Sequence, residues 1–319
     1  MPLPSNFGQH LSLPVVVAPM FLISNPDLVV ACCKKGIVGT FPSLNQRTTA
    51  EFEAWVIQIN QSLEQFKAEG GKPAPFGVNL IVHKTNPRAM ADLEICVKHK
   101  VPLVITSLGA AKEVVDAVHS YGGLVFHDVI NRRHAEKAAE AGVDGIIAVC
   151  AGAGGHAGTI NPFALVAEIR QFFDKTLLLS GCISSGSDVA AAITMGADLA
   201  YMGTRFINTQ ESPAIDPYKN MINNCGADDI IYTPAVSGVK ASFMKPSLIE
   251  AGYDMEKLVN PASIDYGNKL TPDNDESKAW KTVWSAGQGV AAIHDIPSVS
   301  TLVDDMTTEF AKARSKQWK

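Results

Sequence analysis

The chain has 319 residues, of which 46% are hydrophobic and 18% charged, and its formal net charge is -5. That apolar content excludes global disorder, and the small negative charge excludes a nucleic-acid binder, leaving a small molecule as the expected partner. The length accommodates one large catalytic domain, because single α/β barrels reach this size.

The six cysteines, at 32, 33, 96, 150, 182 and 225, form no C-x-x-C pair and read as reduced, mostly buried thiols. The N-terminal stretch lacks a basic region followed by an apolar block and a cleavage site, so a cytoplasmic location is expected. The longest apolar stretch, Leu13 to Ile23, is too short for a membrane span and contains Pro14 and Pro19. It fits a buried strand.

In chain order, the first β-rich run is Val15–Met20. Its end, Ala18-Pro19-Met20, suits either contact with a flat ring or plain core packing. Asn25 before Pro26 then starts a helix. Gly36–Phe41 is the second run, and Thr48 with Glu51 opens the next helix. The third run, Phe76–Val82, holds Asn79 between Val78 and Leu80; a buried amide there needs partners, which a cofactor or a backbone carbonyl would supply. Asn86 before Pro87 marks another helix start. Leu103–Leu108 and Leu124–Val129 follow. On the latter, His127 and Asp128 are adjacent and point to opposite faces, which argues against a direct dyad and leaves His127 a structural group first and a ligand contact second. His134 to Ala141 reads as a helix stopped by Gly142.

The sixth run is Gly145–Cys150, with a helix start at Asn161-Pro162 beyond it. Thr176–Gly181 and Leu199–Thr204 are the seventh and eighth. After Arg205 the alternation stops, and a mixed stretch to about Asp275 shows no clear ninth strand. Glu276 to Ile293 and Ser298 to Lys316 resume helical spacing; Trp280 and Trp284 form an i, i+4 packing stripe or a lid beside the turn Gly287-Gln288-Gly289. Eight strands alternating with helices predict a (β/α)8 TIM barrel with an excursion after strand eight and C-terminal helices, an open doubly wound sheet being the alternative. Residues 1–319 then form one domain, with 205–275 as an inserted subdomain or lid-like excursion.

In a barrel the chemistry sits in loops after the strands. After the sixth run comes Gly152-Ala153-Gly154-Gly155-His156-Ala157-Gly158. Glycines let the backbone approach a flat ligand and histidine supplies a base; the other reading is a flexible turn with a surface histidine. Ser180-Gly181-Cys182-Ile183-Ser184-Ser185-Gly186-Ser187 and Met202-Gly203-Thr204-Arg205 follow the seventh and eighth runs, the usual phosphate corner. Backbone N–H groups, hydroxyls and the positive end of a short helix would receive a dianion there, although small residues also simply make turns.

The segments VAPM, FGVN, GAGGHAG, SGCISSG and MGTRF, in this order, resemble the nitronate monooxygenases, formerly called 2-nitropropane dioxygenases. The resemblance spans roughly Leu13 to Ser212, with further support from SAGQGVAAIHDIP. It implies a barrel binding FMN non-covalently, with oxygen as oxidant and no metal. The implied reaction takes alkyl nitronates, and nitroalkanes, to carbonyl compounds and nitrite. It also implies that His156 is catalytic, that Asn79, Gly154 and Gly155 contact FMN, that Gly181, Cys182, Gly203 and Thr204 hold its phosphate, and that Met20 lies by the ring. Neither nucleic acid nor membrane is an expected partner, and a homodimer is compatible with this reading. The chain departs from the family pattern at Val17, where glutamine is common, at Gly152, where glutamate is, and at Cys182, where a second glycine is usual. The first two departures remove polar groups near the flavin or substrate. Alternatives are an NAD(P)H-dependent flavin reductase of quinones or enoyl thioesters, and a flavin-free phosphate-binding barrel.

Overall fold

The computed structural model describes residue 7 and residues 10–83, 85–109, 112–236, 238–255, 258 and 283–316. Each of the eight apolar runs becomes a parallel strand: β1 (Val15–Val17), β2 (Gly39–Pro42), β3 (Phe76–Ile81), β4 (Leu103–Ser107), β5 (Leu124–Val129), β6 (Gly145–Val149) and, after a two-residue strand β7 (Gly155–His156), β8 (Thr176–Ser180) and β9 (Leu199–Met202). They pair in the order β1-β9-β8-β6-β5-β4-β3-β2. A parallel bridge between Val16 and Val38 joins the two edges, with Val17 N–H donating to Val38 O at 2.8 Å and Val38 N–H to Val15 O at 3.0 Å. The sheet is therefore a barrel and not an open doubly wound sheet.

The strands read as continuous apolar runs because both faces are covered. Val16, Val38, Ile105, Phe126, Ile147 and Leu178 fill the inside, where Phe7 meets Phe126 edge-on at 5.7 Å. Val15, Val78, Val104, Val125 and Ile146 face outward to the helices.

The outer layer comprises α1 (Pro26–Lys34), α2 (Thr49–Ala68), α3 (Ala89–Lys98), α4 (Lys112–His119), α5 (Arg132–Glu140), α6 (Pro162–Arg170) and α7 (Gly186–Thr194). Asn25, Asn131 and Asn161 cap their helices by accepting a first-turn N–H, and Thr48 forms the expected capping box with Glu51. Gly142 at φ 88° ends the α5 turn as expected. Asn86 is not a helix cap. Its Nδ2 donates to Ile81 O and its Oδ1 accepts from Arg88 N–H, so it shapes the turn after β3 and the helix starts later, at Ala89.

The stretch after β9 holds α8 (Thr204–Ile207), α9 (Asp216–Asn224) and α10 (Lys245–Glu250). Contrary to the sequence reading, it also contributes strands, β10 (Ile230–Thr233) and β11 (Ala241–Met244). These pair antiparallel, and β11 pairs on its other edge with β7, bringing Ala241 opposite His156 and Ser242 opposite Gly155. The expected late helix over 276–293 is also corrected: 283–287 has no helical turn, and 288–292 is a short 3-10 segment. Trp280 lies outside the described residues. The expected tryptophan stripe therefore also lies partly outside them, and Trp284 stacks on Tyr218, with ring centroids 5.1 Å apart. A final helix, α11 (Val299–Arg314), packs on α7. Among the described residues no helix is long and apolar enough to cross a membrane.

Candidate active site

The C-terminal ends of the barrel strands open at one mouth, and the glycine-rich loops meet there. Ala18 N–H donates to Met202 O at 2.8 Å, tying the loop after β1 to the end of β9. Ala18 Cβ and Met20 Sδ border the space above Gly203, at 3.6 and 3.7 Å from where a Cβ would be, with Pro19 between them in sequence. Met202 offers the mouth only its backbone, since its side chain is buried between barrel and helices. Val17 also points into that outer core, so its replacement of glutamine removes nothing from the mouth. Ser180 ends β8, buried, and its carbonyl accepts from Cys150 N–H at 3.0 Å. At Gly181, φ is 135° and a Cβ would lie 2.9 Å from Ala151 O, so only glycine fits.

His156 is held by its neighbours on both sides. Gly155 N–H donates to Ser285 Oγ at 2.8 Å, and Ser285 Oγ–H donates to Ser242 O at 2.6 Å, which staples β7 to β11. On the other flank, Tyr232 O–H donates to Ala157 O. The His156 side chain is exposed, yet nearby protein atoms strip it of enough water to lower its pKa below the ordinary histidine value. It is therefore neutral, a proton acceptor, at physiological pH.

The wall opposite comes from residues the sequence placed in a helix. Gly287 N–H donates to Thr204 Oγ1 at 2.9 Å and Gln288 N–H to Gly152 O at 2.9 Å. A Cβ on Gly154 would meet Gly287 N at 2.9 Å, and one on Gly287 would meet Gly152 O at 2.6 Å. Two glycine loops thus pack backbone to backbone. Ser184 Oγ–H adds a bond to Gly289 O at 2.9 Å. Ser285, Gly287, Gln288 and Gly289 belong to the site although sequence reasoning missed their part in it; the signal was the G-Q-G spacing itself.

Gly152 and Cys182, two departures from the family pattern, are one structural feature. A Cβ at Gly152 would fall 2.2 Å from Cys182 Sγ. Cys182 in turn holds φ 56°, a conformation natural to the glycine usual there. Among the described residues four non-glycines have positive φ: Leu22, Leu108 and Cys182 lie in loops at the mouth, and Lys100 lies elsewhere. Strained backbone of this kind concentrates where function requires it.

At the expected phosphate corner several N–H groups at the start of α7 already have partners. Asp188 accepts from Ser184 N–H and Ser185 N–H at 3.0 and 2.9 Å, and Glu309 accepts from Gly186 N–H at 2.7 Å. The short helix open to an anion is α8, whose first N–H groups, at Thr204 and Arg205, have no partner inside a helix.

Beneath the mouth the strand register assembles a polar chain. Asn79 Nδ2 donates to Ile105 O at 3.2 Å and to Ser107 Oγ at 2.8 Å, and Ser107 Oγ–H donates to Asp128 Oδ2. Although Asp128 touches the open mouth, barrel atoms enclose its carboxyl, and loss of water pushes its pKa up to about 6. Sequence reasoning singled out Asn79, weighed Asp128 only as a partner for His127, and passed over Ser107. His127 faces outward to Thr106 Oγ1 at 2.8 Å, and burial lowers its pKa to about 4, so it stays a neutral structural group. Among the described residues no three His, Cys, Asp or Glu side chains gather as metal ligands.

A closed parallel barrel whose strand-end loops gather a neutral histidine and a set of glycines at one mouth has the architecture of an α/β-barrel enzyme. The chain belongs to the nitronate monooxygenase family, whose profile matches residues 87–309. It is 25% identical over 341 residues to the nitronate monooxygenase of Paraburkholderia phytofirmans, covering 89% of each chain. It is 26% identical to a hydroxy-methyl-oxo-octahydroindene-carboxyl-CoA dehydrogenase of Rhodococcus jostii, covering 76% of this chain and 65% of that one, so it spans less than two thirds of that relative's length. Its fold matches the nitroalkane oxidase of Streptomyces ansochromogenes with a TM-score of 0.78 at 24% identity, over 98% and 99% of the two chains.

Proposed function

We propose that this chain is an FMN-dependent monooxygenase that uses oxygen to convert alkyl nitronates and neutral nitroalkanes to carbonyl compounds and nitrite. The observation that carries the reading is His156, kept neutral by its surroundings and clamped on both flanks at the mouth. A neutral nitroalkane is a carbon acid, and Nδ1 or Nε2 of a neutral imidazole can take its α-proton. A nitronate has already lost that proton and needs only to be bound and oriented.

The residues fit FMN. Nothing lies within 4 Å of where a Cβ on Gly155 would sit, which leaves room for a flat ring against the backbone. Ala18, Met20 and Gly203 supply an apolar edge, Asn79 an amide, and Cys182, Gly203 and Thr204 backbone and hydroxyl groups for the phosphate. When bound, FMN supplies the electron transfer between substrate and oxygen. The chain's own residues bind and orient the substrate, exclude water and move the proton. The excursion over 205–275 then serves as the part that completes the pocket, and a cytoplasmic location suits this chemistry.

An absorption scan of the purified protein tests the reading. The expected result is a flavin spectrum that nitronate bleaches without air and that air restores; a colourless protein that binds no added FMN overturns it. The kinship with a CoA-thioester dehydrogenase favours a second reading, an NAD(P)H-dependent reductase. Rapid bleaching by NADH without air is the outcome that would select it.

A further inference from the structure

The polar chain under the mouth has a direction that its chemistry enforces. Ile105 O is a carbonyl and only accepts, so the edge of Asn79 beside it, at 3.2 Å, is the NH2 group. Ser107 has one proton and gives it to Asp128, which leaves its oxygen to accept the second Asn79 N–H at 2.8 Å. Both amide protons are then committed inside the barrel, and Oδ1 is the edge left for a ligand. An ionised carboxylate can only accept, which permits no other order.

We propose that Asp128 is a positioning residue: through Ser107 it fixes the Asn79 amide so that the protein presents a hydrogen-bond acceptor to the bound flavin. The inference rests on the flavin reading above. A proton on Asp128 would let its own O–H donate to Ser107, free the Ser107 proton to turn toward Asn79, and so release one of the two anchors. The partner selected is a donor, such as an N–H on the ring edge or a hydroxyl of the ribityl chain.

A merely structural role explains Asp128 poorly. It stands opposite Ile147 on an inward face shared with Phe126, where an apolar side chain would be cheaper than a carboxylate. No cation forms an ion pair with it among the described residues. The other groups around it are accounted for. From β4 comes Ser107, from β3 Asn79, and from β9 Tyr201, whose phenol is pushed up first by burial and then by the Asp128 charge and so stays neutral. His127 points to the other face of β5, and burial alone lowers His156.

The test uses the FMN holoenzyme without substrate and follows the ring's visible band from about pH 5 to 8. The ring is the readout because the FMN phosphate itself titrates near pH 6, roughly, and lies outside the chromophore. The wild type is expected to show a band shift with a midpoint at or below about 6, since a flavin donor bonded to Asn79 Oδ1 favours the ionised form of Asp128. Asp128→Asn, which still accepts from Ser107, is expected to hold the high-pH band throughout. Ser107→Ala should lose the shift and weaken FMN roughly threefold to tenfold, the worth of the one neutral hydrogen bond that orients Asn79. His156→Asn should keep the shift. A pH-independent wild-type band, a shift that persists in Asp128→Asn and Ser107→Ala, or one that vanishes in His156→Asn overturns the inference alone. A chain that binds no FMN overturns the flavin reading and this inference with it.

Discussion

In the proposed reaction the base must be unprotonated when it meets the carbon acid, and the walls around His156 would favour this by making its charged form expensive. Because the pKa is lowered, the neutral form persists at pH values where an ordinary histidine would already be half charged. Nitroalkane turnover should therefore fall only as the pH drops through a value below 6.5, and nitronate turnover should not follow that curve. In steady-state assays His156→Asn should cost about 10² to 10⁴ in nitroalkane kcat/KM and far less with nitronate; equal losses would contradict the base assignment. Gly152 offers a second residue-level prediction. Gly152→Ala should destabilise by about 1 kcal/mol from its positive φ, plus the clash with Cys182 Sγ. Pairing it with Cys182→Gly should recover the clash component, as read from denaturant midpoints. His156 was legible in the sequence because glycines and a strand end frame it. Asp128 was not, since its link to Ser107 and Asn79 depends on which strands lie side by side and in what register, and neither is written in local spacing.

At the scale of elements, the important pairing is β7 with β11. Two residues carry no readable periodicity, so the His156 segment looked like a loop, and the IIYT and ASFM runs that make its partner hairpin are too short to stand out from a mixed stretch. The barrel strands were legible for the opposite reason: burial on both faces leaves long β-branched runs, and caps such as Asn25, Thr48 and Asn161 announce the helices between them. Tyr232→Phe removes the clamp on Ala157 without touching the barrel core. It should lower nitroalkane kcat roughly tenfold to a hundredfold, as small misplacements of a base do, while thermal unfolding moves by only a few degrees. A variant with wild-type kcat would show that the clamp does not position His156.

For the whole molecule, the ring has one weak seam. Neighbouring strands such as β3 and β4 share five paired positions, whereas β1 and β2 are joined by a bridge at Val16 and Val38. Native-state hydrogen exchange should therefore release the amides of Val17 and Val38 before those of Ile105 and Phe126; uniform protection around the ring would refute this. The staple between Gly155, Ser285 and Ser242 has a different consequence, one of timing. As the chain emerges from the ribosome, all eight barrel strands are present once Met202 has been made, yet the histidine cannot be fixed until residues some 80 positions further along arrive. A nascent or truncated chain can thus form its barrel while His156 still lacks its staple, so the pocket of the proposed reaction is completed well after the last barrel strand has been made.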